Sequence, residues 1–256
     1  MKTTIFYFSG TGNSLFVARK LAEKLEDCSV QPIATFSADG QIGGEGERVG
    51  FVFPSYYGNL PRIVRRFVDG VEIDPKTWLF GVVTMGAPFG MGNGCASELE
   101  KALAKKGLTL RYSRGVSMPR NYVLKYNPLS SEKGAKYNAK ADGRTSKIAK
   151  EIKSEKSKIQ KCFITSDDLY GNIETLDEKF FTEDSCCGCG QCEMICPVKN
   201  IKMVDDHPEW QHHCEHCIAC ISWCHDAAIQ YGEKTKERGR YHNPEIEVSE
   251  LLVSDY

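Results

Sequence analysis

The amino-acid sequence predicts an α/β protein in two parts, a doubly wound five-stranded parallel sheet followed by a small, cysteine-rich α+β domain. β-prone runs alternate with amphipathic stretches over the first part of the chain, a pattern typical of parallel sheets. Eight of the twelve cysteines lie at a repeated spacing between residues 186 and 224. We expect the sheet domain at 1–165, an acidic linker at 166–179, the cysteine-rich domain at 180–235 and a C-terminal tail at 236–256.

The composition of the 256-residue chain is that of an ordinary soluble globular protein, with 41% hydrophobic and 26% charged residues. The formal net charge of −1 excludes a globally basic nucleic-acid binder. No apolar run approaches the length of a membrane span, and Ile5–Phe8 is too short for the core of a signal peptide. Because cysteines that bind metal must stay reduced, we expect a cytoplasmic protein.

A loop rich in hydroxyl side chains joins the first predicted strand, residues 2–8, to an amphipathic helix at Leu15–Leu25. Free N–H groups and the positive end of the dipole favour an anion at such a helix start, and the hydroxyls add hydrogen-bond donors. The loop lacks the lysine of the Walker type and the G-x-G-x-x-G spacing. A plain turn with a helix cap is the alternative to a phosphate site. The candidate phosphate-binding residues are Ser9, Thr11, Gly12, Asn13 and Ser14.

An aromatic loop follows the predicted third strand, Arg48–Phe53, and precedes a helix that starts at Pro61. Its adjacent tyrosines, Tyr56 and Tyr57, are candidates for stacking on a planar ligand. The alternative is a pair of partly buried loop tyrosines without a ligand. The candidate binding residues of this loop are Pro54, Ser55, Tyr56, Tyr57, Gly58 and Asn59.

A glycine-rich loop follows the predicted strand Trp78–Thr84 and precedes a helix at Cys95–Lys105. Glycines allow the backbone to approach a ligand closely, although a flexible solvent loop would have the same composition. The dinucleotide fingerprint is incomplete here, because Cys95 stands where its third glycine would be. The candidate binding residues are Met85, Gly86, Ala87, Phe89 and Gly90. Runs at Ser29–Ile33 and Leu108–Val116 supply the second and fifth strands.

These three loops, in this order along the chain, resemble the cofactor loops of the flavodoxin family. The resemblance implies a strand order of 2-1-3-4-5 and an FMN cofactor whose phosphate binds the first loop. It also implies that the aromatic loop covers one face of the isoalloxazine and that the glycine-rich loop contacts its rim. All three loops leave the carboxyl ends of predicted strands, where ligands of such sheets bind.

The segment 117–131 leaves the same sheet edge, and we expect it either to shape the surroundings of the flavin or to be a surface linker. Replacement of Asn121 and Tyr122 by alanine would distinguish the two. Residues 132–161 carry ten Lys or Arg against four Asp or Glu and are predicted to form a last, basic helix. This helix offers either a docking surface for a partner or a solvated face.

The cysteine-rich part contains two runs with the same C-x2-C-x2-C-x3-C spacing, the first from Cys186 to Cys196 and the second from Cys214 to Cys224. A C-x2-C-x2-C loop can direct only three thiolates to one point, so each site needs a fourth ligand from elsewhere. Structural zinc and a disulfide framework are the alternatives, but zinc sites usually pair two C-x2-C turns.

Residues 180–232 resemble a bacterial two-cluster ferredoxin, including Gly188 and Gly190 inside the first run. The resemblance implies two [4Fe-4S] clusters whose fourth ligands are exchanged between the runs. The chain departs from that family where His225 replaces a proline and where Cys187 directly follows the first ligand. The implied ligands are Cys186, Cys189, Cys192 and Cys224 for the first cluster, and Cys214, Cys217, Cys220 and Cys196 for the second.

FMN and two clusters in one chain would define an electron relay between two-electron and one-electron carriers. We therefore expect a redox partner protein, either a ferredoxin-type donor or an acceptor reductase, and no nucleic-acid or membrane partner. Direct reduction of an unsaturated or tetrapyrrole-like small molecule at the flavin is the alternative, and a zinc-stabilised binding protein is a third hypothesis. The sequence leaves open whether the chain is an enzyme or a homodimer, and it identifies no catalytic side chain.

Overall fold

Ten elements build a parallel sheet and its covering helices in the computed structural model, which describes residues 1–37, 40–86, 94–160 and 175–253. The sheet has six parallel strands in the order β2-β1-β3-β4-β5-β6, so the predicted doubly wound order is confirmed. The elements are β1 Thr3–Tyr7, α1 Asn13–Leu25, β2 Cys28–Pro32, β3 Arg48–Pro54, α2 Arg62–Gly70, β4 Trp78–Met85, α3 Gly94–Lys105, β5 Leu110–Ser117, α4 Ser131–Lys153 and β6 Lys158–Ile159.

The sixth strand is a difference from the five-stranded prediction. The last helix was predicted to continue to residue 161, but α4 ends at Lys153. Glu155 then adopts a left-handed conformation, with φ of 49°, which cannot continue a right-handed helix. Ile159, which falls inside the predicted range of that helix, instead lies in β6 and pairs with Ser113.

The central strands β1, β3 and β4 are almost completely buried, as expected for parallel strands covered on both faces. Ile5, Phe51 and Phe80 are fully inaccessible to solvent. Helix α1 packs with α4, and α2 packs with α3. The order in which strands are added to the sheet reverses between β1 and β3, because β1 pairs with β2 on one side and with β3 on the other. Ligands of such sheets bind at this switch point.

The cysteine-rich part is built from short elements around a small core. Two antiparallel pairs, β7 with β10 and β8 with β9, accompany two short helices. The core residues of this part are Val123, Phe180, Ile218, Ile221, Ile229 and Tyr241. The elements are β7 Phe180–Thr182, α5 Gln191–Met194, β8 Ile201–Val204, β9 His207–Trp210, α6 Ala219–Trp223 and β10 Ile229–Tyr231, with 3-10 turns at Glu233–Thr235 and Val248–Glu250.

The described residues group into two compact units that do not follow the chain strictly. The first unit contains residues 1–8, 13–119 and 131–160, and the second contains 9–12, 120–130 and 175–253. The short loop 9–12 and the segment 120–130 thus belong with the cysteine-rich part. The predicted linker 166–179 lies mostly outside the described residues, so the domain boundaries stay a prediction. No helix in the described part of the chain combines the length and apolarity needed to cross a membrane.

Candidate functional site

Two cavities in the second unit are each lined by four of the cysteines that the spacing singled out. The first cavity is lined by Cys186, Cys189 and Cys192 of the first run and by Cys224 of the second run. Cys187 also lines this cavity, beside the apolar side chains of Met203 and Ile229. The second run therefore contributes one thiol to a cavity that belongs otherwise to the first run.

The second cavity has the reverse composition. Cys214, Cys217 and Cys220 of the second run line it together with Cys196 of the first run. Within the described ranges, no group of three His, Cys, Asp or Glu side chains has the arrangement of a site for one metal ion. In a [4Fe-4S] cluster each of four thiolates binds a different iron, so the thiolates surround a cavity instead of meeting at one ion.

Left-handed residues bend both runs at corresponding positions. In the first run Gly188 and Gly190 have φ of 70° and 72°, two and four residues after Cys186. In the second run His216 and Ile218 have φ of 56° and 59° at the same distances from Cys214. Such alternation turns successive backbone N–H groups towards one side, which suits an anionic cluster. Glycine spacing indicated only the first pair, and no local signal in the sequence marks His216 or Ile218.

Burial makes the cysteine thiols poor acids. It raises the pKa of Cys192 and of Cys214 to about 12, and it also raises the pKa of Cys196. Burial also raises the pKa values of Cys217 and Cys220 well above the usual value of a thiol. Thiolates at these positions therefore require a compensating positive charge, which iron would supply. The donor set fits an iron-sulfur cluster, since none of the eleven described cysteines is in a disulfide bond.

Backbone N–H groups already point at two of the sulfur atoms. The N–H of Asn200 donates to Sγ of Cys196 at 3.1 Å, and the N–H of His216 donates to Sγ of Cys214 at 3.2 Å. Hydrogen bonds to cluster sulfurs influence the reduction potential. Of the histidines near Cys214, His216 is buried and contributes its backbone N–H, whereas the ring of His212 is hydrogen-bonded to Asp177.

The loop between β1 and α1 holds its predicted phosphate-binding side chains in buried positions. Thr11, Asn13 and Ser14 are each at most 5% exposed. Gly12 has a φ of 89°, which favours glycine. The Ser14 hydroxyl lies 2.7 Å from that of Thr84, near the end of strand β4. Ser9 is only partly buried, and it begins the loop where β1 ends.

Residues far along the chain surround this loop, and among them Asn121 lies in the segment 117–131 that was expected near the flavin. The side-chain amide of Asn121 donates to Oγ1 of Thr11 at 2.6 Å. The backbone N–H of Asn243 donates to the carbonyl of Thr11 at 2.8 Å, and the indole N–H of Trp223 donates to the carbonyl of Gly10 at 3.0 Å. The loop is therefore held by the segment 120–130, the second cysteine run and the C-terminal tail.

The aromatic loop after β3 is a tight turn that separates its two tyrosines. Tyr56 and Asn59 exchange backbone hydrogen bonds of 3.2 and 2.9 Å, while Tyr57 and Gly58 have φ of 54° and 90°. The Tyr56 ring packs edge-on against Phe8, with ring centroids 6.1 Å apart. Tyr57 is 45% exposed and is thus the tyrosine with more surface for a ligand.

The base of the aromatic loop is tied to neighbouring elements of the sheet unit. The N–H of Ser55 donates to the carbonyl of Thr84 at 2.8 Å, directly after Pro54 ends β3. The Cys95 thiol is buried and donates to the carbonyl of Asn59 at 3.0 Å.

Only the beginning of the glycine-rich loop is described. Met85 ends β4 and is buried, and its carbonyl accepts a hydrogen bond from the N–H of Met118 at 2.9 Å. Gly86 follows at the carboxyl edge of the sheet. The other predicted contact residues, Ala87, Phe89 and Gly90, lie outside the described residues.

Comparison with known proteins identifies the iron-sulfur motif directly. A family model described as "4Fe-4S binding domain" matches residues 180–202, which contain the first cysteine run. No curated protein matches the chain. The second unit thus carries a 4Fe-4S ferredoxin motif, and the chain joins it to a sheet of flavodoxin-like topology.

Among solved structures, the chain is similar to a putative flavoprotein from Bacteroides uniformis ATCC 8492, with 19% identity, a TM-score of 0.34, and coverage of 45% of this chain and 90% of that chain. A flavodoxin from the domain Archaea shares 16% identity over 60% of this chain and 99% of that chain, with a TM-score of 0.38. A flavodoxin from Streptococcus pneumonia TIGR4 shares 14% identity over 60% of this chain and 99% of that chain, with a TM-score of 0.40.

Proposed function

We propose that this chain is an electron-transfer iron-sulfur flavoprotein that relays electrons between one FMN and two [4Fe-4S] clusters. The observation that carries the proposal is the exchange of one cysteine between the two cavities, with three thiols from one run and the fourth from the other in each case. This is the ligand pattern that two-cluster ferredoxins use. This pattern favours two clusters over a zinc site, because a zinc ion would need a C-x2-C turn from each run to bind the same ion.

The proposed ligands follow from the lining of the two cavities. Cys186, Cys189, Cys192 and Cys224 would hold the first cluster, and Cys196, Cys214, Cys217 and Cys220 the second. Cys187 lines the first cavity as well, but only Cys186 has the C-x2-C spacing to Cys189. We therefore leave Cys187 out of the ligand set.

FMN is proposed for the carboxyl edge of the sheet near the switch point. Three observations support it: the hydroxyl-rich loop after β1, the exposed Tyr57 after β3, and Gly86 at the end of β4. The helix α1 begins at Asn13 and would present its N–H groups and dipole to the phosphate. Tyr57 would stack on the isoalloxazine. The segment around Asn121 would influence the flavin through its hydrogen bond to Thr11.

A relay of this kind converts electron pairs into single electrons. FMN accepts or gives two electrons and each cluster one, so the chain would exchange electrons with one-electron and two-electron partners. The protein's contribution is to bind the carriers, keep water away and set their potentials. We propose a ferredoxin-type donor or an acceptor reductase as the partner, in the cytoplasm, with 1–165 as the flavin domain and 180–235 as the cluster domain.

An anaerobic reductive titration tests the relay. Protein loaded with iron, sulfide and FMN should take up about four electrons, two at the flavin and one at each cluster. Reoxidation by a one-electron acceptor should return both the flavin and the cluster absorbance. Uptake of two electrons by the flavin alone would contradict the relay. Rapid flavin-dependent reduction of an unsaturated acceptor with the clusters unchanged would favour the direct reductase instead.

A further inference from the structure

The loop 9–12 touches the second cysteine run through backbone atoms. A Cβ atom added to Gly10 would lie 2.4 Å from the carbonyl oxygen of Cys217, so only glycine fits at this contact. The carbonyl of Gly10 itself accepts the indole hydrogen bond of Trp223 at 3.0 Å. Both partners lie in the second cysteine run. Cys217 lines the second cavity, and Trp223 directly precedes Cys224, which lines the first cavity. The position of the loop thus depends on the backbone around the two cysteine-lined cavities.

The opposite side of the loop is held as closely. Asn243 donates its N–H to the carbonyl of Thr11, and the side chain of Asn121 donates to the hydroxyl of Thr11. A Cβ atom at Gly12 would lie 3.0 Å from Cβ of Asn243 and 3.1 Å from Cβ of Ile246. A loop with close neighbours on two sides cannot shift without displacing one of them.

Trp223 connects the loop to both cysteine runs. Its carbonyl accepts a hydrogen bond from the side chain of Gln191, which directly precedes Cys192. Trp223 directly precedes Cys224, and its ring stacks on His242 with centroids 4.2 Å apart. The indole is only 8% exposed. A change in either cysteine run would therefore be transmitted to the carbonyl of Gly10.

We propose that cluster loading and flavin-phosphate binding stabilise each other through the contacts of Gly10 with Cys217 and Trp223. The inference rests on the proposed function, because it takes the anion of the loop to be the FMN phosphate. Clusters fix the backbone of the cysteine runs, and this backbone fixes the loop that presents N–H groups to the phosphate. Such coupling is reciprocal in binding free energy: if clusters strengthen FMN binding by a given factor, FMN strengthens cluster binding by the same factor.

The coupling is specific for the phosphate end of the flavin. Riboflavin has the isoalloxazine but no phosphate, so it can bind the aromatic loop without engaging residues 9–12. We therefore expect riboflavin to leave the clusters unprotected even where it is bound. Inorganic phosphate should give partial protection, since it engages the loop alone.

The test measures iron loss from the cluster-loaded chain under a strong chelator in the absence of oxygen. Saturating FMN should slow the loss of cluster absorbance about tenfold, within the range of known coupling between sites. Binding of FMN is monitored separately by the quenching of its fluorescence. Failure of FMN to bind would overturn the proposed function. Binding of FMN with an unchanged rate of iron loss would overturn the coupling alone.

Trp223→Phe tests the contact itself, because it keeps an aromatic ring against His242 and removes the donor to Gly10. We expect normal iron content, FMN binding weakened about tenfold, and loss of the protection by FMN. Trp78→Phe, the same substitution in the sheet unit, is the matched control and should keep full protection. Full protection in Trp223→Phe would contradict the role of this bond.

Gly10→Ala provides a second variant should Trp223→Phe fail to load iron. The added methyl group would collide with the carbonyl of Cys217 and displace the loop. We expect clusters that form but are no longer protected by FMN. Protection equal to that of the unmodified chain would overturn the proposal.

Discussion

The two cysteine runs adopt left-handed conformations at the same positions but do so by different means. The first run uses Gly188 and Gly190 for its two left-handed positions, whereas the second uses His216 and Ile218. A branched side chain in this conformation is strained, so Ile218 must be held there by its surroundings. Ile218 is 4% exposed and belongs to the core of the unit. The first run thus reaches its left-handed positions through the conformational freedom of glycine, and the second run through packing in the core.

The surroundings of His216 illustrate the same difference. Its ring lies 5.9 Å from that of Tyr122, 6.3 Å from that of Phe180 and 5.3 Å from that of Tyr231. Gly188, at the corresponding position of the first run, is partly exposed and near Asp206. A repeated ligand spacing therefore does not imply a repeated environment, and the second run is part of the hydrophobic core.

The largest expected effect comes from the cysteines that the runs exchange. Cys224→Ala should abolish the first cluster although Cys224 lies in the second run, and Cys196→Ala should abolish the second cluster. Each variant should contain about half the iron and sulfide of the unmodified chain. Iron and acid-labile sulfide per chain are measured on anaerobic protein.

Cys187→Ala is the matched control for these variants and should retain all of its iron, in contrast to Cys186→Ala. Iron loss in Cys187→Ala with retention in Cys186→Ala would shift the ligand register by one residue. Full iron in Cys224→Ala would contradict the exchange between the runs.

Substitutions of Ile218 should reverse the usual order of stability, in which an alanine variant is more stable than a glycine variant. Ile218→Ala removes buried methyl groups and keeps the left-handed strain, so it should cost about 2–5 kcal/mol. Ile218→Gly creates a slightly larger cavity but relieves about 1–2 kcal/mol of strain, so it should be at least as stable. The stability of both variants is measured as the thermal midpoint of cluster loss. A glycine variant clearly less stable than the alanine variant would indicate that Ile218 is not strained.

Smaller effects are expected at the glycines of the first run. Gly190→Ala should cost about 1–2 kcal/mol from conformational strain alone, because the nearest atom to its added Cβ is Cγ of Met203, at 3.9 Å. Gly188→Ala should cost more, since its Cβ would lie 3.0 Å from that of Asp206. Equal midpoints for the two variants and the unmodified chain would show that the first run can adjust its path.

Local patterns predicted the sheet well because each strand, loop and helix has its own signal. The alternation of β-prone and amphipathic stretches located β1 to β5, and the predicted strand order 2-1-3-4-5 is confirmed. The short strand β6 has only two residues, too few for any pattern to be visible. It forms because the chain leaves α4 at Glu155 and returns to the edge of β5, which is a tertiary effect.

The surroundings of the candidate site could be predicted only in part. Cysteine spacing and the hydroxyl-rich loop draw attention to the right segments, and the ligand assignments made from them stay predictions. The contacts of Asn121, Trp223 and Asn243 with the loop 9–12 join segments more than a hundred residues apart. No periodicity or motif encodes such contacts, because they depend on how the segments of the second unit pack.

The most direct test of the account is the cofactor content of the unmodified chain, purified without exposure to oxygen. Iron, acid-labile sulfide, zinc and extracted flavin are measured per chain on the same sample. The account predicts about eight iron, about eight sulfide, one FMN and no zinc. Zinc in place of iron, or full iron content in a chain that cannot bind FMN, would contradict it.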